Sequence, residues 1–152
     1  MLIVYRILIN ITLILIPIIL IFRLLKRKED PKRFIEKFCF FTKKKSKGKL
    51  IWFHGASVGE LQSIIPLVEK FEKNKKINQI LITSNTLSSS KIISNFKFKK
   101  VIHQFFPLDT NWYTKKFLNY WHPSTVFFID SEIWPNMFKN LKKKEIPIIL
   151  LN

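Results

Sequence analysis

The sequence predicts an α/β domain built on a parallel sheet, preceded by a membrane-anchor helix. Three observations predict it. The N-terminus opens with one long apolar segment, short apolar runs alternate with amphipathic segments from Lys49 onward, and the loops after those runs are polar and carry carboxylates. Alternation at this spacing requires crossover connections, and right-handed crossovers build a parallel sheet.

Residues Leu2 to Leu25 are almost wholly apolar, with Arg6, Asn10, Thr12 and Arg23 as the polar exceptions. The segment approaches the ~20 residues that a bilayer requires. Pro17 would kink such a helix, which membranes tolerate. Arg23, Lys26, Arg27 and Lys28 cluster at its end, and positive residues stay on the cytoplasmic side, so the rest of the chain is expected in the cytoplasm. A signal peptide would carry its charge before the apolar core and a small-residue cleavage site after it. Neither pattern is present, so an uncleaved single anchor over residues 1–25 is expected. An in-plane interfacial helix is disfavoured, because nearly all faces of the segment are apolar.

Residues 26–48 read as a basic amphipathic helix over Asp30 to Phe41, with Phe34, Phe38 and Phe41 on one side, followed by a basic linker. Residues 49–152 then supply the α/β domain. Leu50 to His54 is the first strand, and Val58 to Lys73 a helix that Pro66 should kink. Gln79 to Thr83 is the second strand, and the polar run from Ser84 opens a weaker helix ending near Phe96. Val101 to Phe105, Thr125 to Ile129 and Pro147 to Leu151 are the remaining strands, separated by helices over Asn111 to Tyr120 and Pro135 to Lys144. The expected strand order is Rossmann-like, 3-2-1-4-5, which puts the ligand crevice beyond the carboxyl ends of strands one and four.

The chain has 152 residues, 47% of them hydrophobic, which suits one domain with a core and excludes a disordered chain. The net charge of +17 calls for an anionic partner, nucleic acid or a membrane surface. Part of that charge accompanies a general wealth of Lys, Ile, Asn and Phe, the residues of A/T-rich codons. Arginine, the better phosphate fork, occurs only at positions 6, 23, 27 and 33, so most lysines read as a solvated face and no nucleic-acid partner is expected. Cys39 is the single cysteine, which excludes an intrachain disulfide. His54, His103 and His122 are scattered, and no metal site is expected.

Two loops flank the predicted crevice: His54-Gly55-Ala56-Ser57-Val58-Gly59-Glu60 and Asp130-Ser131-Glu132-Ile133-Trp134-Pro135-Asn136. Converging carboxylates suit general acid/base work. Each feature also has a plainer reading. Ser57-x-x-Glu60 fits a capping box, in which Glu60 returns to its own backbone. Gly55 and Gly59 permit a tight turn but make no dinucleotide fingerprint, since Ser84 rather than an acid follows the second strand. Asp130 and Glu132 fit loop carboxylates bound to backbone amides, and Trp134, Phe105, Phe106, Phe127 and Phe128 fit a core.

As words, these motifs resemble the bacterial 3-deoxy-D-manno-octulosonic acid (Kdo) transferases. Leu50 to Glu60 resembles the opening motif of that family and Asp130 to Asn136 its acidic-x-Glu-Leu-Trp-Pro-Asn motif. Thr83 to Ser90, Gln104 to Asp109 and Glu145 to Asn152 match further segments in order. The resemblance implies the N-terminal half of a GT-B glycosyltransferase, inverting and metal-independent, with no cofactor. Its donor substrate would be CMP-Kdo and its acceptor lipid IVA, in lipopolysaccharide biosynthesis at the inner membrane. It implies that Glu60 is the general base and Glu132 a second catalytic glutamate, with Ser57, Gly59, Ser84 and Asp130 binding the acceptor. Asp130 stands where the family commonly has Glu, and Cys39 where it commonly has Gly. The donor-binding domain would follow Asn152, so the expectation is a fragment inactive alone. The competing expectation is a non-catalytic, membrane-tethered domain that binds anionic lipid headgroups.

Overall fold

A computed structural model describes residues 2–130 and 133–152. Its centre is a five-stranded parallel sheet in the order β3-β2-β1-β4-β5, as the strand pattern predicted. The strands are β1 (Leu50–His54), β2 (Gln79–Ser84), β3 (Val101–Phe105), β4 (Thr125–Ile129) and β5 (Ile148–Leu151). β1 pairs with β2 on one side and β4 on the other, with Phe53 beside both Ile82 and Phe127. Chain order reverses between β1 and β4, where a doubly wound sheet opens its crevice.

Every residue of β1 is buried, because helices cover both faces of the sheet. Leu50 and Trp52 point into one core with Leu81, Val126 and Phe128, closed by α5 (Asn111–Trp121) and α6 (Pro135–Lys143). Ile51 and Phe53 point into the other with Ile80, Ile82 and Phe127, closed by α2 (Val58–Ser63), α3 (Ile65–Lys73) and α4 (Leu87–Ser94). Trp52 is fully buried against Phe117 and Phe128 at 5.0 and 5.5 Å between ring centres. Replacing such a side chain by alanine costs about 3–5 kcal/mol.

Two helices differ from expectation. The single kinked helix after β1 is two helices, because Pro66 lies in the first turn of α3. Proline has no N–H to give to an interior turn and suits a helix start. The basic helix is only a 3-10 turn, Phe34–Phe38, stopped by Cys39 in the left-handed region at φ 57°. Glycine adopts that conformation without strain, which accounts physically for the glycine expected at this position.

That short turn is tied down by charge. Arg33 Nε and Nη2 donate to the two oxygens of buried Glu36 at 2.8 and 3.0 Å. Glu36 also accepts from the Phe105 N–H at 2.9 Å and from the Thr42 hydroxyl. Arg33 Nη2 donates onward to the His103 carbonyl at 2.8 Å and lies 3.0 Å from His103 Nδ1. Because Arg33 is only a donor, Nδ1 accepts, and His103 Nε2 carries the proton donated to Ser84 Oγ at 2.8 Å. Burial, and then the nearby cations Arg33 and Lys43, hold the His103 pKa down at about 3.

The N-terminal helix α1 (Leu2–Leu25) contains Pro17 and is long and apolar enough to cross a membrane. Below it, buried Glu29 receives Arg23 and Lys37, each at 2.6 Å. Cys39 is free and buried, and burial pushes its thiol up to about 12, so it is an inert core residue.

Candidate active site

A crevice of about 460 Å³ opens between α2, which follows β1, and the carboxyl ends of β4 and β5. Gly59, Glu60 and Ser63 line it from α2, Asp130 from the end of β4, and Leu151 and Asn152 from β5. Glu60 and Asp130 therefore share one crevice near the point where strand order reverses.

Local chemistry sets each residue. Ser57 is the N-cap of α2, its Oγ accepting from Glu60 N at 3.2 Å. Gly55 lets α2 approach the strand ends: a methyl group there would come within 2.9 Å of Leu61 Cδ2 and 3.3 Å of Glu60 Cβ. Asp130 holds φ 57° while its N–H donates to Leu151 O at 2.8 Å. Aspartate tolerates the left-handed region better than most residues, so the turn that ends β4 is compatible with the acid found there.

Glu60 answers the conflict between capping and catalysis. Its Oε2 accepts from Ala56 N at 2.8 Å, one residue earlier than a standard capping box. Its Oε1 has no hydrogen-bond partner among the described residues, and the side chain is only half-buried. One oxygen thus fixes the side chain, and the other makes no hydrogen bond to the described residues.

The remaining expected residues divide. Gly59 lines the crevice, whereas Ser57 is exposed and spent on the cap. Ser84, expected among the acceptor-binding residues, is buried and does not line the crevice; its hydroxyl is taken by His103. β2 extends one residue further than expected, which places Ser84 in the strand instead of the loop. Side chains alternate along a strand, so Thr83 faces Trp52 and His54 at 2.8 and 2.9 Å while Ser84 faces the other way. Glu132 lies outside the described residues. Among the described residues, no three His, Cys, Asp or Glu side chains gather as metal ligands would.

Sequence reasoning missed a polar hub on the other side of the sheet, where the loop after β3 meets the start of α6. Helix α6 has no side-chain cap of its own. Asp109 substitutes, accepting from Asn136 N at 3.0 Å and Met137 N at 2.8 Å. Asn136 Nδ2 returns to the Asp109 carbonyl at 2.6 Å, and Tyr5 OH donates to Asp109 Oδ2 at 2.8 Å. Burial pushes the Asp109 carboxyl above its ordinary range, opposed by the bonds from Asn136, Tyr5 and Met137 and by nearby Arg6. His54 ends β1 beside the same loop, its ring 4.0 Å from that of Phe106. The available signal was the pair of words Pro-Leu-Asp and Trp-Pro-Asn, whose spatial meeting no spacing rule announces.

The geometry defines an α/β domain with an acidic crevice at the switch point of a parallel sheet. Residues 32–152 match the family model described as 3-deoxy-D-manno-octulosonic-acid transferase (kdotransferase). The chain belongs to that family. It is 39% identical over 142 residues to the 3-deoxy-D-manno-octulosonic acid transferase of Rickettsia bellii, covering 91% of this chain and 34% of the relative. It is 40% identical over 103 residues to the Rickettsia prowazekii transferase, covering 68% of this chain and 22% of the relative. To that of Haemophilus influenzae it is 29% identical over 102 residues, covering 67% and 24%. The chain thus spans between 22% and 34% of the length of these relatives.

Proposed function

We propose that this chain is the N-terminal, acceptor-binding part of a GT-B glycosyltransferase that moves Kdo from CMP-Kdo to lipid IVA. The acceptor hydroxyl attacks the anomeric carbon of Kdo, the bond from that carbon to the phosphate oxygen breaks, and CMP leaves with the electron pair. Attack from the opposite face inverts the anomeric centre. The proton lost by the hydroxyl passes to Glu60, and no metal takes part.

The observation that carries this reading is the division of labour within Glu60. A general base must be held still yet reach a proton within ~3 Å, directly or through one water. The Ala56 N–H holds Oε2, and Oε1 of this crevice-lining side chain makes no hydrogen bond to the described residues. Asp130 and Gly59 are proposed to contact the acceptor, with Ser57 setting the start of α2. Glu132 is proposed as the second catalytic carboxylate. Ser84 serves by holding β2 to His103.

The chain is proposed to sit at the inner membrane, attached through α1 with the α/β domain on the cytoplasmic side. Lys26, Arg27 and Lys28 after the helix suit contact with the anionic cytoplasmic leaflet. Alone, residues 1–152 are proposed to lack appreciable transfer activity.

A chimera tests the reading. Residues 1–152 would replace the corresponding part of the Rickettsia bellii relative, and membranes would be supplied with CMP-Kdo and lipid IVA. The expected product is lipid IVA heavier by Kdo. A folded chimera that forms none rejects the proposed acceptor chemistry.

A further inference from the structure

One stripe of α1 is shielded along the whole helix. Tyr5, Ile9, Leu13, Ile16, Leu20 and Leu24 recur every three or four residues at reduced exposure, with Leu20 at 8%. The rest of the surface is bare: Ile3, Ile14 and Leu25 are each about three-quarters exposed. A shielded stripe at helical period runs along a partner, so α1 lies beside the domain instead of projecting from it.

Polar bonds fix both ends. Near the start, Tyr5 OH meets Asp109, Arg6 Nε donates to Asn136 Oδ1 at 2.9 Å, and Arg6 Nη2 donates to Asn111 Oδ1 at 3.1 Å. Near the end, Arg23 meets Glu29. Seventeen residues separate the two arginines, about 26 Å of helix, close to the ~30 Å thickness of a bilayer's hydrocarbon. A helix crossing the membrane from Arg23 would carry Arg6 to the far headgroup layer. Asn111, Asn136 and Asp109 belong to the α/β domain and cannot follow it there.

We propose that α1 lies in the plane of a phospholipid leaflet, its bare apolar flank sunk among the acyl chains and its shielded stripe on the domain. The occupant of the flank is an anionic lipid surface. Lys26, Arg27 and Lys28 are exposed at one end of the flank. At the other end Lys139 stands near Arg6, Lys115 and Lys143, close enough for their charges to lower its pKa. Cations at both ends suit a helix lying flat at headgroup level; a crossing helix leaves the domain's cations at one end only. The low amphipathicity that disfavoured this arrangement in the sequence is explained by packing, because the domain, not water, covers the inner stripe.

This arrangement brings the Asp109–Asn136 hub, and with it the start of α6 that follows the β4 loop, to the lipid surface. The placement of α1 stands apart from the transferase reading. Its use, receiving an acceptor whose acyl chains stay in the leaflet, rests on that reading.

Site-directed labelling tests the placement in bacterial membranes, against a low background because Cys39 is buried. Ile3→Cys should resist a membrane-impermeant maleimide applied outside intact spheroplasts. The pair Arg6→Cys and Asn111→Cys should cross-link through a short bis-maleimide at a yield comparable to Arg23→Cys with Lys37→Cys, which lie together in either topology. Modification of Ile3→Cys from outside overturns the proposal. So does loss of the first cross-link while the second forms. Neither readout depends on Kdo transfer.

Discussion

Asp109 and Asn136 clasp each other from both directions: the Asn136 N–H reaches the Asp109 carboxylate at 3.0 Å, and its side-chain amide reaches the Asp109 carbonyl at 2.6 Å. The clasp joins the loop after β3 to the start of α6, just beyond the loop that leaves β4. Asp109→Asn exchanges one carboxylate acceptor for a donor facing backbone N–H groups. A buried donor left unsatisfied costs about 1–3 kcal/mol. The variant should lose that much in urea denaturation, and in the chimera its Kdo transfer should fall although no substrate contact is proposed for it. Unchanged stability would remove the hub from the account.

The Arg33–Glu36 pair anchors the 26–48 segment to the domain. Glu36→Ala leaves Arg33 without its carboxylate and the Phe105 N–H without its acceptor. Breaking a buried pair from one side costs about 3–5 kcal/mol. Chemical denaturation should show a loss of that order, with increased proteolytic cleavage between residues 29 and 48.

His103 gives stability a pH dependence of known sign. An unfolded histidine titrates near 6.5, whereas native His103 is held at about 3. Between those values the unfolded state binds the extra proton, so stability contributed by His103 is full above 6.5 and is lost as pH falls toward 3. At a pH of about 4.5 the loss should be about 2–3 kcal/mol. His103→Gln keeps a polar partner for Ser84 without the titration, and its stability should decline less over the same range. Parallel slopes for the two proteins would contradict the assignment.

Much of this architecture was legible because its signals are local. Both faces of the sheet are covered, so the strands appear as unbroken apolar runs, and residues such as Ser57, Thr86 and Thr110 each cap the helix that begins beside them. What was not legible depends on residues distant in the chain. The pull of Glu36 on Phe105 spans 69 residues and competes with a regular helix over Asp30 to Phe41. The Tyr5–Asp109 bond spans 104 residues. Ser84 was misplaced by a strand end one residue off, an error that reverses the facing of a side chain. Glu60 was read as cap or catalyst because pattern does not reveal that two carboxylate oxygens can be used differently.

Glu60→Gln in the active chimera tests the central claim most directly. Glutamine retains an oxygen for the Ala56 N–H, so the melting temperature should stay close to that of the unmutated protein, but the amide cannot take a proton. Single-turnover transfer of Kdo to lipid IVA should slow by about 10²–10⁴-fold. A Glu60→Gln protein that transfers Kdo at the unmutated rate would contradict the assignment of Glu60 as the base.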